Sequence, residues 1–220
     1  MNEPFPGYSS RKNRKVYILL YVIVLLLKVT IMNTEIKILK LLLDRKEEVF
    51  TIKKIAEALK INYRIAYEGV AALEKEGLLK VTRAGNSKIC EFANKFNNKV
   101  YEAEYLRRTV LFRNKDFLVL HNMLSDLNFS FIALLFGSHS KGTANKHSDI
   151  DILAAGGEGK EIESALSLFP DKIHLTHVSF KDFIHMAKSK EFTAVSEAIK
   201  NNIILIGIEE YYRVMENVNR

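Results

Sequence analysis

Of its 220 residues, only three are proline and one is cysteine. A lone Cys90 excludes a disulfide framework and any Cys-based zinc site within one chain, and it fits a reducing, cytoplasmic setting. So little proline, with 48% hydrophobic and 27% charged residues, excludes a disordered or low-complexity chain. Acidic residues are the scarcer sign: 26 Asp and Glu face 33 Lys and Arg, for a net charge of +7 and a pI near 9.3. That balance permits a nucleic-acid partner or a nucleotide substrate and proves neither. The length allows one large domain or two small ones.

A full-length membrane-spanning run is also missing. The longest apolar stretch, residues 16–27, stops at Lys28, whereas a spanning helix needs about 20 apolar residues. Arg11, Lys12, Arg14 and Lys15 precede it, as in the first regions of a signal peptide, but no small-x-small cleavage site follows. In an uncleaved anchor those four would favour a cytoplasmic N-terminus, with Lys28, Lys37 and Lys40 opposing it. Three readings of residues 1–31 stay open: a segment ahead of a true start at Met32, a membrane anchor, or a buried helix.

Beyond Met32 the periodicity is clear. Ile38, Leu39, Leu42 and Leu43 share one stripe of a helix over about 33–44. Thr51 caps a helix with Ile52, Ile55, Ala56 and Leu59 inward, and Asn62 caps another that ends at Gly77. "LKVTRAGNSKICEF" then alternates around Gly85-Asn86 as a β-hairpin. This series, with "ALEKEGLL" running into the hairpin, resembles the winged helix-turn-helix of prokaryotic regulators. The resemblance implies a duplex DNA partner, with Tyr63, Arg64 and Tyr67 near bases or phosphates and Arg83 and Lys88 on the backbone. Glu68, Glu74 and Glu76 lie on the same helix, so a dimerisation or protein-docking module stands as the alternative, with a homodimer among its forms.

Residues 96–127 contain no proline or glycine and form a helical connector rather than a loose linker. Tyr101, Tyr105, Leu106 and Val110 mark one apolar stripe; Phe117, Leu118, His121 and Leu124 mark another. Arg107, Arg108 and Arg113 read as a solvated helix face in preference to a phosphate-binding one.

The chemistry concentrates after residue 128. Residues 131–136 are uninterruptedly apolar, as in a buried strand, and Gly137-Ser138 follows at once. Glycine there lets a ligand approach the backbone, while the Ser138 hydroxyl, a helix start and Lys141 offer partners to phosphate oxygens. "SDIDILAA" is a second strand. Asp149 and Asp151 share a face, their Cα atoms roughly 7 Å apart. Two like charges so placed call for neutralisation. Mg2+ is commonly held by one or two carboxylates together with substrate phosphates.

Gly137, Ser138, Asp149 and Asp151 form the pattern G-S-x10-D-x-D, which resembles the signature of the DNA polymerase β-like nucleotidyltransferase superfamily, and its minimal nucleotidyltransferase group in particular. The resemblance implies a small mixed sheet with helices on one side, a nucleoside triphosphate (ATP for preference) on Gly137, Ser138 and Lys141, and Mg2+ or Mn2+ on Asp149 and Asp151. It implies transfer of NMP to a hydroxyl of a protein, an RNA end or a small molecule. It also implies a third acid on a later strand, and none is found. On "KIHLTHV", residues 172–178, His174 or Thr176 stands in its place. His174 is a candidate base, since imidazole accepts protons near neutral pH. Two further readings stay open: a slow transferase on two aspartates, or a DNA-binding regulator whose domain binds nucleotide without turnover.

The expected fold class is therefore α+β. Residues 1–31 form an apolar extension, 32–95 a winged helix-turn-helix, 96–127 the connector, and 128–220 a nucleotidyltransferase domain with a small mixed β-sheet flanked by helices.

Overall fold

Helix ends and turns fall where local chemistry demands them. The structure, a computed structural model, describes residues 33–189 and 191–218; the apolar extension of residues 1–31 lies outside the described residues. Helix α1 (Thr34–Asp44) buries Ile38, Leu39, Leu42 and Leu43. After the two-residue strand β1 (Phe50–Thr51), the Thr51 side chain accepts from the Lys54 N–H and starts α2 (Ile52–Leu59). The Asn62 side chain accepts from the Arg64 N–H and starts α3 (Tyr63–Lys75). Strands β2 (Leu79–Ala84) and β3 (Ser87–Phe92) pair antiparallel across Gly85-Asn86. Gly85 takes the positive φ of a hairpin turn. With β1 on the far side of β3, they make a three-stranded sheet.

Two helices follow, α4 (Asn98–Leu111) and α5 (Lys115–Ser125). Then come β4 (Phe131–Phe136), the five-residue α6 (Gly137–Lys141), β5 (Ile150–Gly156), α7 (Gly159–Leu166) and β6 (Ile173–Val178). The chain closes with α8 (Phe180–Lys188), α9 (Ala194–Lys200), β7 (Ile203–Ile206) and α10 (Ile208–Val218). The second sheet is mixed, in the order β6-β5-β4-β7, with only the β5–β6 pair parallel.

Helices cover both faces of this sheet, not one. Phe131, Ala133, Leu135, Ile150, Ile152 and Ala154 pack against α5 and α7. Ile132, Leu134, Leu153 and Ala155 are equally buried on the opposite face, beneath α8, α9 and α10. The sequence says why: β4 carries no polar alternation, so neither of its faces suits water. The β7 edge is closed by α4, where the Arg108 guanidinium donates to the Leu205 carbonyl at 2.8 Å.

Helix α4 is turned differently from its apolar pattern. Tyr101, Tyr105 and Val110 are exposed, whereas Val100, Ala103, Glu104 and Arg107 are buried. Arg107 is thus no solvated residue. It donates to Asp44 Oδ1 at 2.9 Å, to Glu104 Oε2 at 2.7 Å and to the Asn202 carbonyl. Tyr212 donates to the other Glu104 oxygen at 2.6 Å. Burial alone would lower the Arg107 pKa, but the Glu104 and Asp44 carboxylates hold it above its ordinary value. Half-buried Lys46 reaches Asn202 Oδ1 at 3.2 Å. Burial, then the neighbouring Arg107 charge, pushes its pKa down to about 8. On α5, Phe117, Leu120 and Leu124 face the core and Leu118 faces out. Among the described residues, no helix is long and apolar enough to cross a membrane.

Candidate active site

Asp149, Ile150 and Asp151 run alongside Lys172, Ile173 and His174. The parallel pairing sets Ile150 opposite Ile173 and Asp151 opposite His174, and the Ile150 N–H donates to the Lys172 carbonyl at 2.9 Å. The isoleucines turn to the core and the four polar side chains to the other side. Each aspartate therefore meets a basic group: Lys172 Nζ lies 2.6 Å from Asp149 Oδ2, and His174 Nδ1 lies 3.4 Å from Asp151 Oδ1. The Lys172 and His174 side chains are 78% and 71% exposed. An ion pair at that exposure, as between Lys172 and Asp149, contributes about 0–1 kcal/mol and is readily exchanged.

The β4–α6 turn meets this strand pair closely. Gly137 has φ +68°, and an added Cβ would overlap Asp151 Oδ2. Two requirements thus select glycine: a left-handed backbone and a carboxylate lying over its Cα. Around it, the Ser140 hydroxyl donates to the Gly137 carbonyl at 3.0 Å, and the Thr143 N–H to the Ser138 carbonyl at 3.0 Å. His139 Nε2 bonds the carbonyl of Ser148, next to Asp149, at 3.2 Å. The turn and both aspartates consequently form one assembly. Ser138 is partly exposed within it. Lys141 pairs with Glu197 of α9 at 3.4 Å, so its ammonium is shared with that helix. Thr176 sits two pairs beyond His174 along β6, opposite Leu153.

The structure brings Gly137, Ser138, Asp149, Asp151 and His174 together. Sequence reasoning missed Lys172, which precedes β6 by one residue. The signal was the match of D-I-D to K-I-H, legible only once β5 and β6 are known to pair in parallel and in this register.

Fold and site define an α+β domain in which a glycine turn and paired carboxylates meet at one end of a mixed sheet. Residues 128–206 match the family model described as the nucleotidyltransferase domain, of the DNA polymerase β-like superfamily. That match suggests nucleotidyl transfer at the general level. The chain matches no curated protein and no solved structure.

Such domains generally use an NTP and a divalent metal. Among the described residues, no group of three or more His, Cys, Asp and Glu is placed to hold an ion. Two carboxylates on one strand face, each opposed only by an exposed and exchangeable side chain, suit instead a cation that arrives with phosphates.

The other residues singled out in the sequence lie on α3 and the hairpin. Tyr63 and Tyr67 are 55% and 42% exposed, their ring centroids 6.5 Å apart. Lys88 Nζ stands 4.9 Å from the centre of the Tyr67 ring, and Arg83 pairs in register with Lys88. Arg64 is engaged by Glu68 at 2.9 Å. Cys90 is buried in β3, and burial raises its thiol to about 11, so it is no thiolate nucleophile.

Proposed function

We propose that the chain transfers a nucleoside monophosphate, AMP from ATP, to a hydroxyl of a protein, an RNA end or a small molecule, releasing pyrophosphate. Residues 32–95 act as a winged helix-turn-helix that brings the transferase to duplex DNA. The observation that carries the transferase reading is the approach of Asp151 to Gly137, which sets a metal-binding carboxylate against the turn that receives phosphate.

Gly137, Ser138 and Lys141 hold the triphosphate, and Asp149 and Asp151 hold Mg2+ or Mn2+. When bound, the cation neutralises the charge on the phosphate oxygens and on the departing pyrophosphate. His174, beside Asp151, accepts the proton of the acceptor hydroxyl as its oxygen bonds the α-phosphorus and the bond to the β-phosphate breaks. The rate comes chiefly from holding the acceptor in line with a neutralised triphosphate. On the winged helix, Tyr63, Tyr67 and Lys88 form one exposed face toward DNA, with Arg64 and Arg83 beside it.

The test incubates the full chain with Mg2+, native lysate and ATP labelled at the α-phosphorus. A labelled band lost in Asp149→Asn is the expected result. A second reading has its own support, since β6 presents His174, preceded by Lys172, where active relatives of this signature carry an acid. On that reading the protein is a DNA-binding regulator that senses nucleotide without turning it over. Tight ATP binding with no labelling from any NTP would select it.

A further inference from the structure

Lys172 has no part in the reaction just described, yet it makes the closest contact in the site. Its backbone is fixed beside Asp149 by the bond from the Ile150 N–H at 2.9 Å. Its side chain is flexible, 78% exposed and directed at Asp149 Oδ2. Among the described residues it makes no other ion pair. A divalent cation on Asp149 needs the same carboxylate oxygens. The ammonium and the cation are therefore alternative occupants of one position, and each weakens the other by the worth of the pair it breaks.

We propose that Lys172 is an exchangeable counter-ion of the transferase site. It neutralises Asp149 while the site is empty, then passes to the phosphates of the nucleotide as the site loads. The proposal rests on the reading that Asp149 and Asp151 carry a nucleotide-bound divalent cation. Releasing Asp149 leaves the ammonium without an ion-pair partner among the described residues. The polyanionic triphosphate, held at the Gly137 turn that Asp151 touches, then lies within the same small assembly. A lysine is suited to this exchange because its charge is compact and its stem has four rotatable carbons. Lys141 is less suited, since Glu197 holds it at 3.4 Å. The consequence is a pair of opposite signs: Lys172 opposes binding of the metal alone and favours binding of the metal with its nucleotide.

The experiment measures Mn2+ binding to the full chain by loss of the free-ion electron paramagnetic resonance signal, without nucleotide. Lys172→Ala should bind Mn2+ about two- to five-fold more tightly than wild type, the range an exposed pair supports. The same variant should bind a fluorescent ATP analogue with Mg2+ more weakly by a similar factor. Lys146→Ala removes an exposed charge three residues before Asp149 in the sequence that makes no ion pair among the described residues, and it controls for net charge. Mn2+ binding that is unchanged in Lys172→Ala, or raised no more than in Lys146→Ala, overturns the counter-ion role while leaving the metal reading intact. A wild-type chain that takes up no Mn2+, with Asp149→Asn the same, overturns the metal reading and this proposal with it.

Discussion

Gly137→Ala and Gly142→Ala form a matched pair that isolates the contact at the centre of the site. Both glycines have φ +68°, so alanine at either position bears the same left-handed backbone penalty, about 1–2 kcal/mol. They differ in surroundings. Nothing lies within 4 Å of a Cβ at Gly142, whereas one at Gly137 meets Asp151 Oδ2, with Cγ at 3.1 Å. A carboxylate has no slack at that range, so Asp151 must leave its rotamer, at a further cost of about 0.5–1.5 kcal/mol. Urea denaturation, analysed at a shared slope, should therefore rank Gly137→Ala below Gly142→Ala by roughly 1 kcal/mol. Mn2+ affinity should fall in Gly137→Ala alone, because only there is a carboxylate displaced. Equal destabilisation of the two variants, or unchanged Mn2+ affinity in Gly137→Ala, would refute the argument that the turn is shaped around Asp151.

The remaining predictions concern groups whose partners are now known. Arg107→Met removes a buried guanidinium from between Glu104 and Asp44 and should cost about 3–5 kcal/mol in a urea titration. Lys46 ionises near 8 in the folded chain against 10.5 in the unfolded one, so the unfolded state binds more protons between those values. Stability contributed at this site should rise with pH from about 8 to 10.5, and the wild-type advantage over Lys46→Met should grow across that window in pH-dependent melts. His174→Asp restores an acid opposite Asp151 and should lower the melting temperature in chelator, since like charges across a strand pair cost about 0.2–1 kcal/mol. Added Mn2+ should reverse that loss, measured by thermal melts with and without the ion.

What the sequence made legible was local. Residues 131–136 and the D-I-D strand announce themselves by apolar continuity and alternation, and the Thr51 and Asn62 caps and the Gly85-Asn86 turn by side-chain chemistry within three residues. Helix α4 was not legible, for a definite reason. Its inward face sets a charge-paired Glu104 and Arg107 between the buried Val100 and Ala103. Arg107 finds its partners at Asp44 and Asn202, 63 and 95 residues away, and Tyr212 reaches Glu104 over 108 residues. A periodic pattern records which side chains avoid water. It does not record which charges will be neutralised by distant segments, so Tyr101, Tyr105 and Val110 looked like the buried stripe and are instead exposed.

The same limit governs the site. Two aspartates on one strand face pose the choice between a metal and an ion pair, and the strand alone cannot decide it. On the proposed reading the two are successive occupants of one site. Asp149 faces Lys172 and Asp151 faces His174, exposed groups that pair without locking. A permanent buried pair would have excluded any cation, because breaking it costs several kcal/mol. An unpaired pair of carboxylates would have burdened the fold with their repulsion. Weak, solvent-facing partners avoid both penalties. They leave the carboxylates open to a cation delivered with phosphate, as the proposed function requires. On the proposed reading, an acid at position 174, opposite Asp151, would exchange an exposed histidine for tighter metal binding at the cost of added repulsion in the empty site.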